Sequence, residues 1–152
     1  MPANTDPIYS KIGDVQEAAA ALIQAVNASL YNAAGTIGTD VYKIWTADAT
    51  NGGYLQKIRV KYCANATTTS VACVMKFFVT AAASGATTDA NCFLIDEIAI
   101  PATGVLTAIA TNPSYDVPMG FALPAGWSIV AKITAAQPAS CGFAAVGIGG
   151  KY

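Results

Sequence analysis

Residues 121–152 constrain the fold most. Phe121-Ala-Leu-Pro-Ala-Gly-Trp-Ser-Ile-Val-Ala-Lys-Ile133 and Phe143-Ala-Ala-Val-Gly-Ile-Gly-Gly-Lys-Tyr152 read as strand, tight turn, strand, loop, strand. Pro124 presets the φ angle of the turn and Gly126 supplies its flexible corner. Beyond it, Trp127, Ile129, Ala131 and Ile133 alternate with Ser128, Val130, Lys132 and Thr134. A period of two belongs to a strand with two unlike faces. A last strand that runs to Tyr152 ties the end of the sequence into the core, so a compact β module is expected.

The same pattern extends back to residue 35. Val41-Tyr-Lys-Ile-Trp-Thr46 reads as a strand, followed by Asp48-Ala-Thr-Asn-Gly-Gly53, in which Asn51-Gly52 signals a hairpin. In residues 54–62, Ile58, Val60 and Tyr62 share one face and Lys57, Arg59 and Lys61 the other. Residues 70–80 are apolar on both sides, as in a central strand, and residues 81–90 read as a mobile loop of small residues. Cys92-Phe-Leu-Ile-Asp-Glu-Ile-Ala-Ile100 stops at Pro101, a residue suited to a strand end. About seven short strands between turn signals predict an all-β fold, a β-sandwich of jelly-roll type.

The N-terminal part reads differently. Pro2 and Pro7 keep residues 1–13 extended as an arm. Ile8, Tyr9 and Ile12 give it bulky apolar groups that fold back on the domain or reach a neighbour. In residues 14–31, Asp14 and Glu17 have capping-box spacing, and Val15, Ala19, Leu22, Val26 and Leu30 fall near helical spacing. One short helix is expected there, although Ala21-Leu-Ile-Gln-Ala-Val26 would also suit a sheet. The organisation expected is an arm over 1–13 and a single sandwich over 14–152, long enough to bury a core.

Composition narrows the chemistry. Charged residues make up 11% of 152, with net charge −1, far below the usual quarter. No basic run marks a nucleic-acid footprint, and no apolar stretch approaches the ~20 residues of a membrane span. Residues 1–8 lack the features of a signal peptide, so synthesis in a cytoplasm is expected. The chain has no His, which removes the commonest general base and the common zinc patterns. Asp96 and Glu97 point to opposite faces of a strand, so a salt bridge or polar edge is the better reading than a catalytic acid pair. Gly147-Ile-Gly-Gly150 has no following helix to hold an anion and reads as close backbone packing. Neither catalysis nor a cofactor or metal is expected.

Three further groups carry alternatives. Lys57, Arg59 and Lys61 form either a solvated outer face that deters edge pairing or a dock for an acidic neighbour. Tyr42, Trp45, Tyr54 and Trp127 could build a sugar-stacking platform, but such residues more often anchor cores and interfaces. Cys63, Cys73, Cys92 and Cys141 are disulfide candidates. Cys63–Cys73 is the most local pairing, across a hairpin, and leaves Cys92–Cys141. The alternative is four reduced, buried thiols.

Thr46-Ala-Asp-Ala-Thr-Asn-Gly-Gly-Tyr-Leu-Gln-Lys-Ile-Arg-Val60, Leu94-Ile-Asp-Glu-Ile-Ala-Ile-Pro101, Phe121-Ala-Leu-Pro-Ala-Gly-Trp-Ser128 and Val146-Gly-Ile-Gly-Gly-Lys-Tyr152 together resemble small virion proteins of tailed bacteriophages. Within that group they resemble head decoration, or cement, proteins. The resemblance runs over residues 35–152 and rests on the combination of motifs. It implies a β-sandwich on the capsid exterior, bound to the major capsid protein, often as trimers, and a strand around residues 20–27 in place of a helix. The cysteines depart from the family pattern. A tail or baseplate component, and a carbohydrate- or receptor-binding sandwich on the virion, are the competing expectations.

Overall fold

The computed structural model describes residues 12–17, 22–27, 34–63, 68–105, 111–139 and 141–152. Ile8 and Tyr9 lie outside the described residues, and Ile12 is described in its backbone alone. The strands are β1 (Ile12–Glu17), β2 (Gly35–Thr36), β3 (Tyr42–Thr46), β4 (Gly53–Cys63), β5 (Cys73–Thr80), β6 (Ala86–Thr87), β7 (Cys92–Ile100), β8 (Ser114–Leu123), β9 (Ser128–Ile133) and β10 (Gly142–Lys151). No helix occurs among the described residues.

Two four-stranded sheets, ordered β1-β10-β4-β8 and β3-β9-β5-β7, form the sandwich, with a β2-β6 ribbon beside them. The antiparallel pairs are nested along the chain: β5 with β7, β4 with β8, β3 with β9 and β1 with β10. Successive pairs fall in alternate sheets. This is one long hairpin rolled up on itself, the topology of a jelly roll.

The inner faces form the core. Ile58, Val60 and Tyr62 of β4 point inward, as their alternation predicts, and meet Met75, Phe77, Ile129, Ala131, Ile133 and Phe143. Trp45 is fully buried among them. Its indole lies on two glycines: a Cβ added at Gly147 would sit 2.7 Å from Trp45 Cβ, and one at Gly53 would sit 2.7 Å from Trp45 Cη2. The glycine run of β10 is therefore close packing. Tyr42 and Trp45 are both buried, so the four aromatics build no sugar platform. Tyr54 is exposed, and Trp127 packs at the core margin.

Three expectations are corrected. Residues 14–17, read as the start of a helix, belong to β1, and Ile12 and Gly13, read as arm, pair with Lys151 and Gly150. Residues 22–27 cross one end of the sandwich as an extended strap. Ile23 exchanges backbone hydrogen bonds with Phe143 at 2.9 and 3.2 Å, and the Asn27 N–H donates to the Ile133 carbonyl at 2.9 Å. Helix propensity is a weak prior, and full burial of Ile23 together with these backbone pairs outweighs it.

Second, Asn51-Gly52 does not pair β3 with β4 as a hairpin, because the two lie in different sheets; the turn closes only on an antiparallel bridge between Asp48 and Gly52. It forms a corner instead. The Thr50 and Asn51 N–H groups each donate to Asp48 Oδ1 at 2.9 Å, and Gly52 takes a φ of +80°. The turn at Gly126 is a second corner, from β8 to β9, and its N–H donates to the Asp48 carbonyl at 3.0 Å. The step from β4 to β5 also changes sheet, so Cys63 and Cys73 do not face each other across a hairpin. All four cysteines are free thiols.

Third, residues 81–90, read as a loop throughout, supply the two-residue β6, where Thr87 is buried against β2. Both faces of β9 are buried. On its outer side Val130 packs with Val41, Phe78 and Cys92. Lys132 is buried there too, its Nζ 5.3 Å from the centre of the Phe78 ring. Desolvation, reinforced by the Lys76 charge, pushes its pKa down to about 8.

Candidate functional site

The outer face of the β1-β10-β4-β8 sheet holds the basic residues singled out from sequence. Strand alternation turns Lys57, Arg59 and Lys61 away from the core. The register sets them in rows. Val15, Ile148, Lys57 and Pro118 lie abreast, as do Val146, Arg59 and Asp116, and Ala144, Lys61 and Ser114. Val15 is 68% exposed, and Val146 and Ile148 are half-buried.

Asp116 organises the charges. It accepts hydrogen bonds from Arg59 Nε at 2.6 Å, Arg59 Nη2 at 2.7 Å and Lys57 Nζ at 3.1 Å. These bonds, Arg59's first, hold its carboxyl far below the usual carboxylate range, and Asp116 in turn raises the Arg59 pKa. The basic row is thus no uniform positive patch. Lys57 and Arg59 share one acid, and Lys61 makes no ion pair among the described residues. Sequence reasoning missed Asp116, because opposite charges across neighbouring strands become visible only once β8 is known to lie beside β4.

The two lateral sides of the sandwich differ. On one, β1 and β3 are joined by a side chain. Gln16 Nε2 donates to the Thr46 carbonyl, and the Thr46 N–H donates to Gln16 Oε1, each at 2.9 Å. The amide of Gln16 stands in for a neighbouring strand and covers the β3 edge. On the other side, no hydrogen bond links β7 with β8 among the described residues. Phe93, Leu94 and Ile95 of β7 are 47%, 37% and 37% exposed there. Tyr115, Met119 and Phe121 of β8 are partly buried at the core margin.

These two edges are protected unequally. Pro118 and Gly120, with a φ of +65°, interrupt the β8 edge. The β7 register shifts opposite Phe77 and Phe78, which marks Ile95 as a bulge. Asp96 Oδ1 accepts the Glu97 N–H at 2.7 Å, and Glu97 pairs with Lys76 at 3.4 Å. The acidic pair is therefore a salt-bridged strand edge, as its alternation suggested. The exposed run beside it went unremarked in sequence because a central strand carries the same residue types.

At the strap end, Cys73, Ala99, Ile100 and Pro101 line a shallow depression of about 440 Å³. Burial pushes the Cys73 thiol up to about 11, which disfavours the nucleophilic thiolate. The Tyr62 hydroxyl is buried beside the Cys141 thiol. Burial first, then the neighbouring Cys141 thiol, pushes its pKa up to about 12. Among the described residues no three His, Cys, Asp or Glu side chains gather as a metal site. No helix there is long and apolar enough to cross a membrane. No family model, no curated protein and no solved structure matches the chain.

Proposed function

We propose that this protein is a non-enzymatic decoration protein of a tailed-bacteriophage head, docking on the major capsid protein through the outer face of the β1-β10-β4-β8 sheet. The observation that carries this reading is the make-up of that face, with exposed Val15 and half-buried Ile148 and Val146 beside the charges gathered on Asp116. Apolar and small side chains along β10 allow close approach. The charges beside them favour one register over others, since exposed pairs contribute more to specificity than to affinity. Modest contacts repeated over a shell reinforce one another. The resemblance of residues 35–152 to head decoration proteins supports the same reading.

The test is antibody labelling of intact phage particles carrying this protein, followed by cryo-electron microscopy. Label over the whole head, with density in which the Val15 face meets capsid subunits, is the expected result. Density confined to the tail or baseplate would replace this reading with the tail-component one. A carbohydrate-binding role is weakened by burial of Tyr42 and Trp45.

A further inference from the structure

A sandwich with one sealed side and one open side is poised for a neighbour that completes the open one. We propose that residues 1–11 of a second copy lie along the open β7–β8 side, seated on Phe93, Leu94 and Ile95. This inference rests on the decoration reading only in assuming that copies meet side by side.

The first argument is the acceptor. Three consecutive large apolar residues, 47%, 37% and 37% exposed, belong to an edge strand that carries no proline; its bulge at Ile95 and the Asp96 carboxylate on the Glu97 N–H leave the stretch before Ile95 as the part free to pair. Exposed apolar edges of this kind favour the addition of an extended segment. A second β7 is the poorer occupant. Antiparallel self-pairing about the strand centre sets Asp96 against Asp96, and like charges directly opposite destabilise a strand pair.

The second argument is the donor. Residues 1–11 hold Ile8, Tyr9 and Lys11, two bulky apolar groups followed by a cation. The seat holds apolar groups followed by the Asp96 carboxylate. Pro2 and Pro7 disfavour helix and suit an extended segment.

The third is reach and direction. Ile12 pairs with Lys151, at the end of the sandwich where β7 begins but on the opposite lateral side. Eleven extended residues span up to about 36 Å, whereas four strands are about 15 Å across. Within one copy the direct path from Ile12 to β7 runs over the corners at 47–52 and 124–127. Between copies set sealed side to open side, the neighbour's β7 edge comes next. Donor and acceptor on opposite sides make a head-to-tail contact, which closes into a ring when the rotation permits.

The experiment uses the full chain with the photo-reactive amino acid benzoylphenylalanine in place of Tyr9. Copies grown in ¹⁴N and ¹⁵N media are mixed, irradiated and mapped by mass spectrometry. Mixed-isotope cross-links to peptides holding Phe93–Ile95 or Met119 are expected, from material that sediments as an oligomer. Ile95→Lys, at an exposed position, should cut the mixed cross-links at least about tenfold and give monomers; the arm-side double change Ile8→Asp with Tyr9→Asp should do the same to the oligomer. Cross-links within one isotope, cross-links elsewhere, none at all, or an oligomer that survives both sets of changes would each overturn the proposal. Mixed cross-links in a protein that never labels heads would sink the decoration reading and leave this one standing.

Discussion

Gly147→Ala tests whether the fit of Trp45 against β10 sets the stability of the sandwich. The new Cβ would lie 2.7 Å from Trp45 Cβ, 2.9 Å from Cδ1 and 3.0 Å from Cγ. Trp45 Cβ is fixed by the backbone, so no rotamer change can clear the nearest of these contacts. The indole cannot simply retreat either, because its far edge already meets Gly53, where an added Cβ would come within 2.7 Å of Cη2. Overpacking of a filled core costs about 1–3 kcal/mol, and loss of glycine's freedom in the unfolded chain returns about 0.4–1 kcal/mol. A net loss of about 1–2 kcal/mol follows, lowering Tm by about 2–8 °C at this size. Urea unfolding followed by circular dichroism measures it. Gly13→Ala is the control, since nothing lies within 4 Å of its added Cβ; it should match or slightly exceed the parent. Equal stability of the two alanine variants would refute the reasoning.

Three further outcomes are expected. Lys132 has a folded pKa of about 8 against the ordinary lysine value of 10.5, so above pH 8 the unfolded chain holds more protons and stability should rise with pH. Raised pKa values at Cys73 and Tyr62 act oppositely once pH passes their unfolded values. The rise should therefore appear in urea midpoints between about pH 8 and 9 and vanish in Lys132→Met; a flat parent profile would count against it. Gln16→Ala removes two hydrogen bonds to Thr46 and should cost about 1–2 kcal/mol, with faster hydrogen exchange at the Thr46 amide; unchanged exchange would show that β3 has no need of that cover. Thiol titration should find Cys63 reacting readily in the native protein and Cys73, Cys92 and Cys141 only on unfolding, in keeping with their burial. Fewer than four thiols in denaturant without reductant would mean that disulfides form.

Strand positions were legible because a period of two survives in the residues themselves. Tyr54–Tyr62 shows it plainly, and its inward and outward sets hold in β4. Which strands share a sheet was not legible. Asn51-Gly52 and Pro124–Gly126 announce a reversal of the chain, and a reversal serves a hairpin or a corner between sheets equally well. Asp116 and the sealing amide of Gln16 stayed hidden for the same reason, since each acts across strands distant in sequence. The segment around Ile23 misled through its alanines. Its extended form is set by Phe143 and Ile133, more than a hundred residues further along.

The nesting of the strand pairs has a consequence for how the chain reaches this state. β5 and β7 can meet after closing only the short connection from Thr80 to Cys92, whereas β1 meets β10 only after nearly the whole sequence has been gathered in. Closure entropy grows with the enclosed length, and folds dominated by distant contacts fold in milliseconds to seconds rather than microseconds. An assembly order follows, from the innermost pair outward, with the strand at Ile12–Glu17 arriving last. The late arrival is the strand adjoining residues 1–11. A copy still lacking it has most of its core and its complete β7 edge, so one molecule can be captured by a neighbour before its own outermost strand is in place.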